Sequence, residues 1–340
     1  MKNRNRKWMM FGFSLLVMLL VVMAGIVYEF NQLKPENHFT TVPVIEAETG
    51  TKVMNVAKKD IPEQKKLDEE TKEVKINTPV FNLLLIGSDQ RKDEQVGHSD
   101  SMILVHVNLE KNKFNAVSIP RDTRVHLDSF GFTKLTSVQY IMQAKHGAQQ
   151  GIEAAVAAVS KLMGVPINYY VETNYTGFQA MIDSVGEIEM NIPFEVTLTH
   201  PWNHENLNKV IPAGMQTLDG NMVTEVVTER YSLKNGEYGR QQLQVEALKG
   251  IAKKALSPGQ VTKLPALIKT SSEYVIATNM TTTDMISLGL AVKDIDLDKQ
   301  LNYQQITGTV QTMYDDVLKA KNSQIVVNPQ KIKEVTGSFQ

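Results

Sequence analysis

The sequence predicts an α/β sandwich with helices on both faces of a sheet, preceded by one membrane-spanning helix. Short apolar runs that end at glycines or charged loops alternate with stretches whose apolar residues recur at helical spacing. Near the N-terminus a run of 21 residues, Trp8 to Tyr28, carries no charge. The 340 residues include no cysteine, which leaves room for one large domain or two small ones and excludes disulfides, thiolate metal sites and thiol nucleophiles.

Taken in order, residues 1–7 form a basic tail holding Lys2, Arg4, Arg6 and Lys7. Residues 8–28, as a helix, are about 31 Å long, enough to cross a hydrocarbon core. The basic tail puts the N-terminus in the cytoplasm and everything after Tyr28 outside, a single-pass cell-membrane topology. A cleaved leader is the rival reading, but the run is longer than a usual leader core, and Ala24-Gly25-Ile26 is a poor cleavage site. Residues 29–79, dominated by Lys and Glu in their second half, read as an extracytoplasmic stalk with nothing to bury. Residues 80–340 hold the folded domain. With a net charge of −1, nothing global argues for nucleic acid, and none is expected as a partner.

Within that domain Val80–Ile86, Met102–Asn108 and Phe114–Pro120 read as three strands, with a turn at Glu110–Lys113. Ser137–Ala144 reads as a short helix. Ile152, Ala155, Val156, Val159 and Met163 lie on one face of another, stopped by Gly164. A strand over Pro166–Thr173 places Tyr169 and Tyr170 on opposite faces. Phe178 to Val185 is a helix, and Glu187–Ile192 a half-exposed strand. Phe194–Gly214 is irregular; its His200 and His204 lack a third ligand, so a metal there is disfavoured. Asp219 caps a helix reaching about Arg230, Asn235-Gly236 marks a turn, and a long helix covers Gly239–Leu256 with Arg240 near its N-terminus. Thr262–Ala277 and Thr283–Val292 read as helices, the second capped by Thr283 or Asp284, and Leu301–Val310 as a late strand. The last ten residues read as frayed.

The loops of the first three strands carry the charge. Asp89 and Arg91 follow the first strand, Asp100 opens the second, and Arg121, Asp122 and Arg124 follow the third. Neighbouring strands would gather three carboxylates and three guanidiniums at one sheet edge. Carboxylate oxygens suit Mg²⁺ and guanidinium forks suit phosphate oxygens, although charged residues equally populate ordinary hairpin loops. There is no Gly-x-x-x-x-Gly-Lys loop for a nucleotide kinase and no Gly-x-Ser-x-Gly elbow for a serine hydrolase.

Gly87-Ser88-Asp89-Gln90-Arg91, then Ser99-Asp100, then Ile119-Pro120-Arg121-Asp122 resembles the LytR-CpsA-Psr family of bacterial envelope proteins. Arg230-Tyr231-Ser232-Leu233 followed by Gly239-Arg240-Gln241-Gln242 resembles that family's second signature, and the likeness extends over roughly Val80 to Leu256. The resemblance implies an α-β-α sandwich with a mixed central sheet and an apolar tunnel for a prenyl tail. It implies transfer of an anionic glycopolymer, of teichoic acid or capsule type, from a polyprenyl diphosphate carrier to a peptidoglycan hydroxyl, forming a phosphodiester beside the membrane. Position by position, Asp89 and Asp100 match its Mg²⁺ carboxylates, and Arg91, Arg121, Arg230 and Arg240 its diphosphate-binding arginines. Gln241 and Lys134 join them as substrate-binding candidates, and Asp122 and Glu237 are candidates to take the acceptor's proton. Three positions depart from the pattern: Thr228 where many members have arginine, Glu237 where many have aspartate, and His98 where arginine is frequent. The other expectation, from a different class, is a catalytically weak protein that binds polyprenyl phosphates and acts by recognition or regulation.

Overall fold

The computed structural model describes residues 31–45, 73–76 and 79–339, apart from Lys92, Trp202, Val261 and Thr262. The anticipated membrane helix at 8–28 lies outside these residues. Among the described residues no helix is long and apolar enough to cross a membrane.

A short helix Pro35–His38 (α1) and strand Thr41–Pro43 (β1) come first, and β1 pairs antiparallel with Glu73–Lys75 (β2). Val80–Ser88 (β3), Ser99–Asn108 (β4) and Lys113–Ser118 (β5) form an antiparallel meander. The hairpin Arg124–Leu127 (β6) with Gly131–Lys134 (β7) leads into helices Leu135–His146 (α2) and Ala148–Met163 (α3). Tyr169–Asn174 (β8), Tyr175–Val185 (α4) and Ile188–Ile192 (β9) follow. Then come Val196–Thr197 (β10), Val210–Ile211 (β11), Gly214–Leu218 (β12), Gly220–Thr228 (α5) and Gly236–Ala255 (α6). The chain continues through Leu264–Ser271 (α7), Val275–Thr278 (β13), Thr282–Val292 (α8), Leu297–Gln300 (α9) and Leu301–Gln305 (β14). It ends with the hairpin Gly308–Asp315 (β15) with Ala320–Val327 (β16), then Pro329–Thr336 (α10).

Six strands make the central sheet in the order β13-β8-β3-β4-β5-β14. The β3–β8 and β5–β14 pairs are parallel and the others antiparallel, so the sheet is mixed. Helices cover both faces, which explains why β3 reads as a continuous apolar run rather than an alternating one. On one face Leu84, Ile86, Met102, Leu104 and Val117 pack against Leu135, Val138, Ile152 and Val156 of α2 and α3. On the other, Phe81, Leu83, Val107 and Phe114 meet Met285, Leu288 and Val292 of α8, while Ile103 and Ala116 meet Val245 of α6. The second face is filled less completely: Leu85, Val105, Val171, Leu301 and Tyr303 are only partly buried there. Tyr169 and Tyr170 fall on opposite faces, as the alternation predicts. A separate core joins α4, α5 and α6 to β9 and β12.

Several expectations are corrected. The stretch Thr262–Ala277 is not one helix: α7 ends at Ser271, and β-branched Val275 and Ile276 begin the edge strand β13. The Glu187–Ile192 strand stands outside the central sheet and, among the described residues, pairs only with β12. The late strand splits in two, β14 joining the sheet beside β5 and β15 turning into a hairpin. Helix α6 starts at Gly236, three residues early, and α8 is capped by Thr281 in a reciprocal capping box with Asp284. The C-terminus is not frayed: α10 buries Ile332 and Val335, and Phe339 stacks on His106 with ring centroids 4.9 Å apart. In the anticipated stalk, Phe39 and Val42 are buried against Phe81 and Tyr169.

Candidate active site

The β3–β4 connection starts the site. Asp89 follows β3, and its Oδ1 accepts the backbone N–H of His98 at 2.6 Å while its Oδ2 lies 3.3 Å from His98 Nδ1. Burial works against the Asp89 charge, but the His98 hydrogen bonds outweigh it and hold the carboxyl below its usual range. In return the Asp89 hydrogen bond, set against burial, raises the His98 imidazole, which also stacks on Tyr140 at 4.6 Å.

Asp100, the second residue of β4, is the meeting point. Arg121 Nη1 donates to its Oδ1 at 2.5 Å and the Tyr175 hydroxyl to its Oδ2 at 3.0 Å. Arg240 Nη2 donates to its backbone carbonyl at 2.8 Å. Arg121 is placed by the turn after Pro120, where its own carbonyl accepts from Thr136 at 2.9 Å. Burial opposes the Arg121 charge, but Asp100 and Glu237 outweigh it and hold the guanidinium protonated. Burial and Asp100 together push the Tyr175 phenol well above its ordinary value, so it stays a donor.

Arg240 is buried, and Glu237 one turn before it clamps the guanidinium through Nε at 3.1 Å and Nη2 at 2.7 Å. Because α6 begins at Gly236, Arg240 sits a full turn inside the helix and not beside its free N–H groups, as the sequence suggested. Gln241 is buried, and its Oε1 accepts from Gln305 at 3.0 Å while its Nε2 finds no partner among the described residues. Gln244, one turn further, accepts from Ser101 at 2.9 Å and donates to the Val227 carbonyl at 3.4 Å, tying β4 to the end of α5.

The other anticipated residues spread outward. Asp122 pairs with Lys134 at 2.8 Å. Arg124 turns away, donating to the Tyr314 carbonyl and to Gln324. Arg91 is exposed, its backbone N–H held by Glu94. The Arg230 guanidinium donates to the Tyr231 hydroxyl at 3.0 Å and lies 4.9 Å from that ring, not at Asp100. So Asp100, Arg121, Arg240 and Glu237 come together, and Asp122 and Lys134 adjoin them through Arg121.

Thr228 ends α5, and its hydroxyl turns back on the Thr224 and Glu225 carbonyls at 2.9 and 3.0 Å and meets His200 Nε2 at 3.0 Å. His200 is thus a buried structural partner, and among the described residues no three His, Asp or Glu side chains gather as a metal group.

Four contributors escaped the sequence. Tyr175 lies in no motif. Gln244 looked like one more polar residue on a long helix. Glu229 is fully buried and collects backbone N–H groups from Thr199, Arg230, Tyr231 and Ser232. Glu172 is buried on β8 and accepts from Gln139 at 2.6 Å; Gln139 in turn accepts from Ser99 at 2.5 Å, bracing the start of β4 from below. Burial raises the Glu172 pKa against the hydrogen bonds from Gln139 and Ser88. Its signal was visible: a lone carboxylate in the apolar stretch Tyr169-Tyr170-Val171-Glu172. Beside it a cavity of about 500 Å³ is lined by Gln90, Gln143, Ile152, Tyr170, Ala277 and Met280 among others.

The chain is 31% identical over 220 residues to the Bacillus cereus protein named polyisoprenyl-teichoic acid–peptidoglycan teichoic acid transferase TagU. That match covers 64% of this chain and 66% of the relative, just under two thirds of its length. The crystal structure of Bacillus subtilis TagV superposes with a TM-score of 0.63 at 24% identity, covering 77% of this chain and 96% of that one. A structure of TagT bound to LIIa-WTA gives 0.61 at 24% identity, covering 77% and 89%. At that identity the two structures establish the shared fold alone. The model of the LytR_cpsA_psr family matches residues 48–338, most of the sequence, and this chain belongs to that family.

Proposed function

We propose that this chain is a membrane-anchored transferase that moves an anionic glycopolymer of teichoic-acid type from a polyprenyl diphosphate carrier to a sugar hydroxyl of peptidoglycan. The observation that carries this reading is the convergence of Arg121 and Arg240, more than a hundred residues apart, on Asp100 at the N-terminal end of β4. Two guanidiniums oriented by Asp100 and Glu237 are suited to diphosphate oxygens. The name of the Bacillus cereus relative supports the two substrate classes.

In the reaction the acceptor oxygen forms a bond to the phosphorus that carries the glycopolymer, and the bond from that phosphorus to the bridging oxygen breaks. Polyprenyl phosphate leaves. Arg121 and Arg240 hold negative charge as it grows on the transferring phosphoryl and the leaving group. Asp122, held by Lys134 next to Arg121, takes the hydroxyl proton. Glu237, already engaged at both oxygens by Arg240, acts as that residue's orienting partner.

The donor set fits Mg²⁺. Asp89 and Asp100 offer hard carboxylate oxygens, and a site of one or two carboxylates completed by substrate phosphates is this ion's usual arrangement. When bound, the ion would neutralise charge on the diphosphate. The prenyl tail is assigned to the incompletely filled face of the sheet, where Leu85, Val105, Val171 and Leu301 are partly buried under α6 and α8. The uncharged run at 8–28 would hold the domain at the outer membrane surface, beside lipid-linked donors.

Thr228 favours slow turnover within this reading. Its hydroxyl is committed to its own helix and to His200, so the position supplies no charge to the diphosphate.

The test uses the purified full chain, a defined polyprenyl diphosphate-linked donor and peptidoglycan. Release of polyprenyl phosphate matched by glycopolymer attachment is expected, with Mn²⁺ binding followed by electron paramagnetic resonance as a separate readout. Asp89→Asn and Asp100→Asn should each weaken that binding and leave the fold intact; unchanged metal binding in both variants would refute their pairing. Lipid binding without any transfer would select the recognition role instead.

A further inference from the structure

Next to the site lies a built, exposed platform of which the proposed chemistry uses Lys134 alone. In the β6–β7 hairpin, Arg124 faces Lys134 and His126 faces Phe132 across the strands, so these four side chains share one face. The Arg124 guanidinium lies 4.2 Å from the Phe132 ring centroid and donates to the Tyr314 carbonyl at 3.0 Å, which brings the β15 backbone at Tyr314 alongside the β6–β7 hairpin. Phe132 is 43% exposed, Tyr314 47%, and Leu318 at the tip of the β15–β16 hairpin 62%.

Rings left in water on a flexible loop would be unremarkable; here the two hairpins are locked together. Phe132 N–H donates to Asp316 Oδ2 at 2.6 Å, and Asp316 N–H donates to the Phe132 carbonyl at 2.8 Å. Gly131 has φ +89°, and a Cβ there would lie 2.5 Å from Asp316 Oδ2, so the lock requires glycine. Asp315, fully buried, accepts from Thr133, Asn322, Val317 and Leu318 and fixes the turn that presents Leu318. The hairpin is also anchored at the reaction centre, because Ile325 N–H donates to the Asp122 carbonyl at 2.9 Å.

The platform therefore runs without a break from Asp122, through Lys134 and Arg124, to Phe132 and Tyr314. Its aromatic faces suit the C–H faces of sugar rings, and its cations, with Lys321 cross-strand from Tyr314, suit carboxylates. Arg121 and Arg240 are committed to the donor diphosphate, and the attacking hydroxyl has to come from elsewhere. We infer that Phe132, Tyr314 and Arg124 form the acceptor subsite, which holds a carboxylate-bearing glycan strand so that its hydroxyl reaches Asp122. This rests on the transferase reading and adds which surface receives the wall.

The probe is soluble glycan strands carrying stem peptides, titrated calorimetrically into the purified full chain. The double variant Phe132→Ala/Tyr314→Ala should bind strands about tenfold or more weakly, the loss expected when central aromatic anchors are truncated. Its affinity for lipid-linked donor and its unfolding temperature should stay at wild-type values, and in turnover the KM for acceptor should rise while the KM for donor does not. Phe132→Tyr/Tyr314→Phe should restore strand binding. Unchanged strand affinity in the double variant, with wild-type transfer intact, overturns the platform and leaves the transferase reading standing. Loss of anionic-vesicle binding or of self-association in place of strand binding also overturns it, by naming a membrane or a second copy as occupant. Absence of both strand binding and transfer in the wild type overturns the two readings together.

Discussion

Glu229 sits in extended conformation just past α5, and its carboxylate accepts three backbone N–H groups from the loop that carries Arg230. Burial opposes the charge, but the backbone hydrogen bonds from Thr199, Ser232 and Arg230 outweigh it, so the pKa is lowered. A lowered folded-state pKa means stability that is present above the unfolded value, about 4.3, and is lost as pH falls through the folded value. Glu229→Gln should cost about 1–3 kcal/mol at neutral pH, because an amide cannot satisfy all those donors. Urea unfolding at pH 7 and at pH 3 should show the difference shrinking at the lower pH; a difference that grew would contradict the assignment. Thr228 gives a second case. Thr228→Arg adds a cation two residues from Arg230, at a helix end that is already unwound, and the transfer rate should rise. A high wild-type rate that falls in Thr228→Arg would mean another cation already does the work. At this scale Asp89, Asp100, Arg121 and Arg240 were legible because they stand in two motifs. Glu229, Tyr175 and Gln244 were not, because a buried acceptor or a distant hydroxyl leaves no periodicity to read.

At the scale of elements, the strands with continuous apolar runs and the helices with clear stripes, α3 and α4, were legible to within a few residues. The failures share a cause: the element is specified by partners remote in sequence. The β16 strand, with Lys321-Asn322-Ser323-Gln324 at its centre, is held by pairing to β15 and not by its own composition. The last helix, α10, looked like a tail because only Ile332, Val335 and Phe339 among its polar neighbours find the core. Deleting residues 329–340 should therefore lower the unfolding temperature by several degrees, since it removes Ile332, Val335 and Phe339 from the core and uncovers His106; an unchanged melting curve would restore the view of a frayed end. Gly131→Ala should unlock the two hairpins at a cost of about 1–3 kcal/mol through its left-handed backbone and the Asp316 contact. Faster hydrogen exchange confined to β7 and the 315–319 turn would be its signature.

For the whole molecule, the central sheet separates two kinds of packing. The face under α2 and α3 is filled by residues with almost no exposure, and it supports the strand ends from which Asp89 and Asp100 project. The face under α6 and α8 is incompletely filled, and α6 also delivers Arg240. One helix thus borders both the apolar layer and the charged end of β4, as the proposed ligand with a hydrocarbon tail and a diphosphate head requires. Strand and helix alternation made the layers legible in the sequence, but not that the two faces would differ in filling, which depends on how far α6 stands from β4 and β14. The most direct measurement is release of polyprenyl phosphate from a defined lipid-linked donor in the presence of peptidoglycan, comparing the full chain with Arg240→Gln. The account predicts release matched by glycopolymer attachment in the wild type, and a loss of about 10²–10³ in rate with donor still bound in the variant. Equal rates in the two proteins, or attachment without release of polyprenyl phosphate, would contradict it.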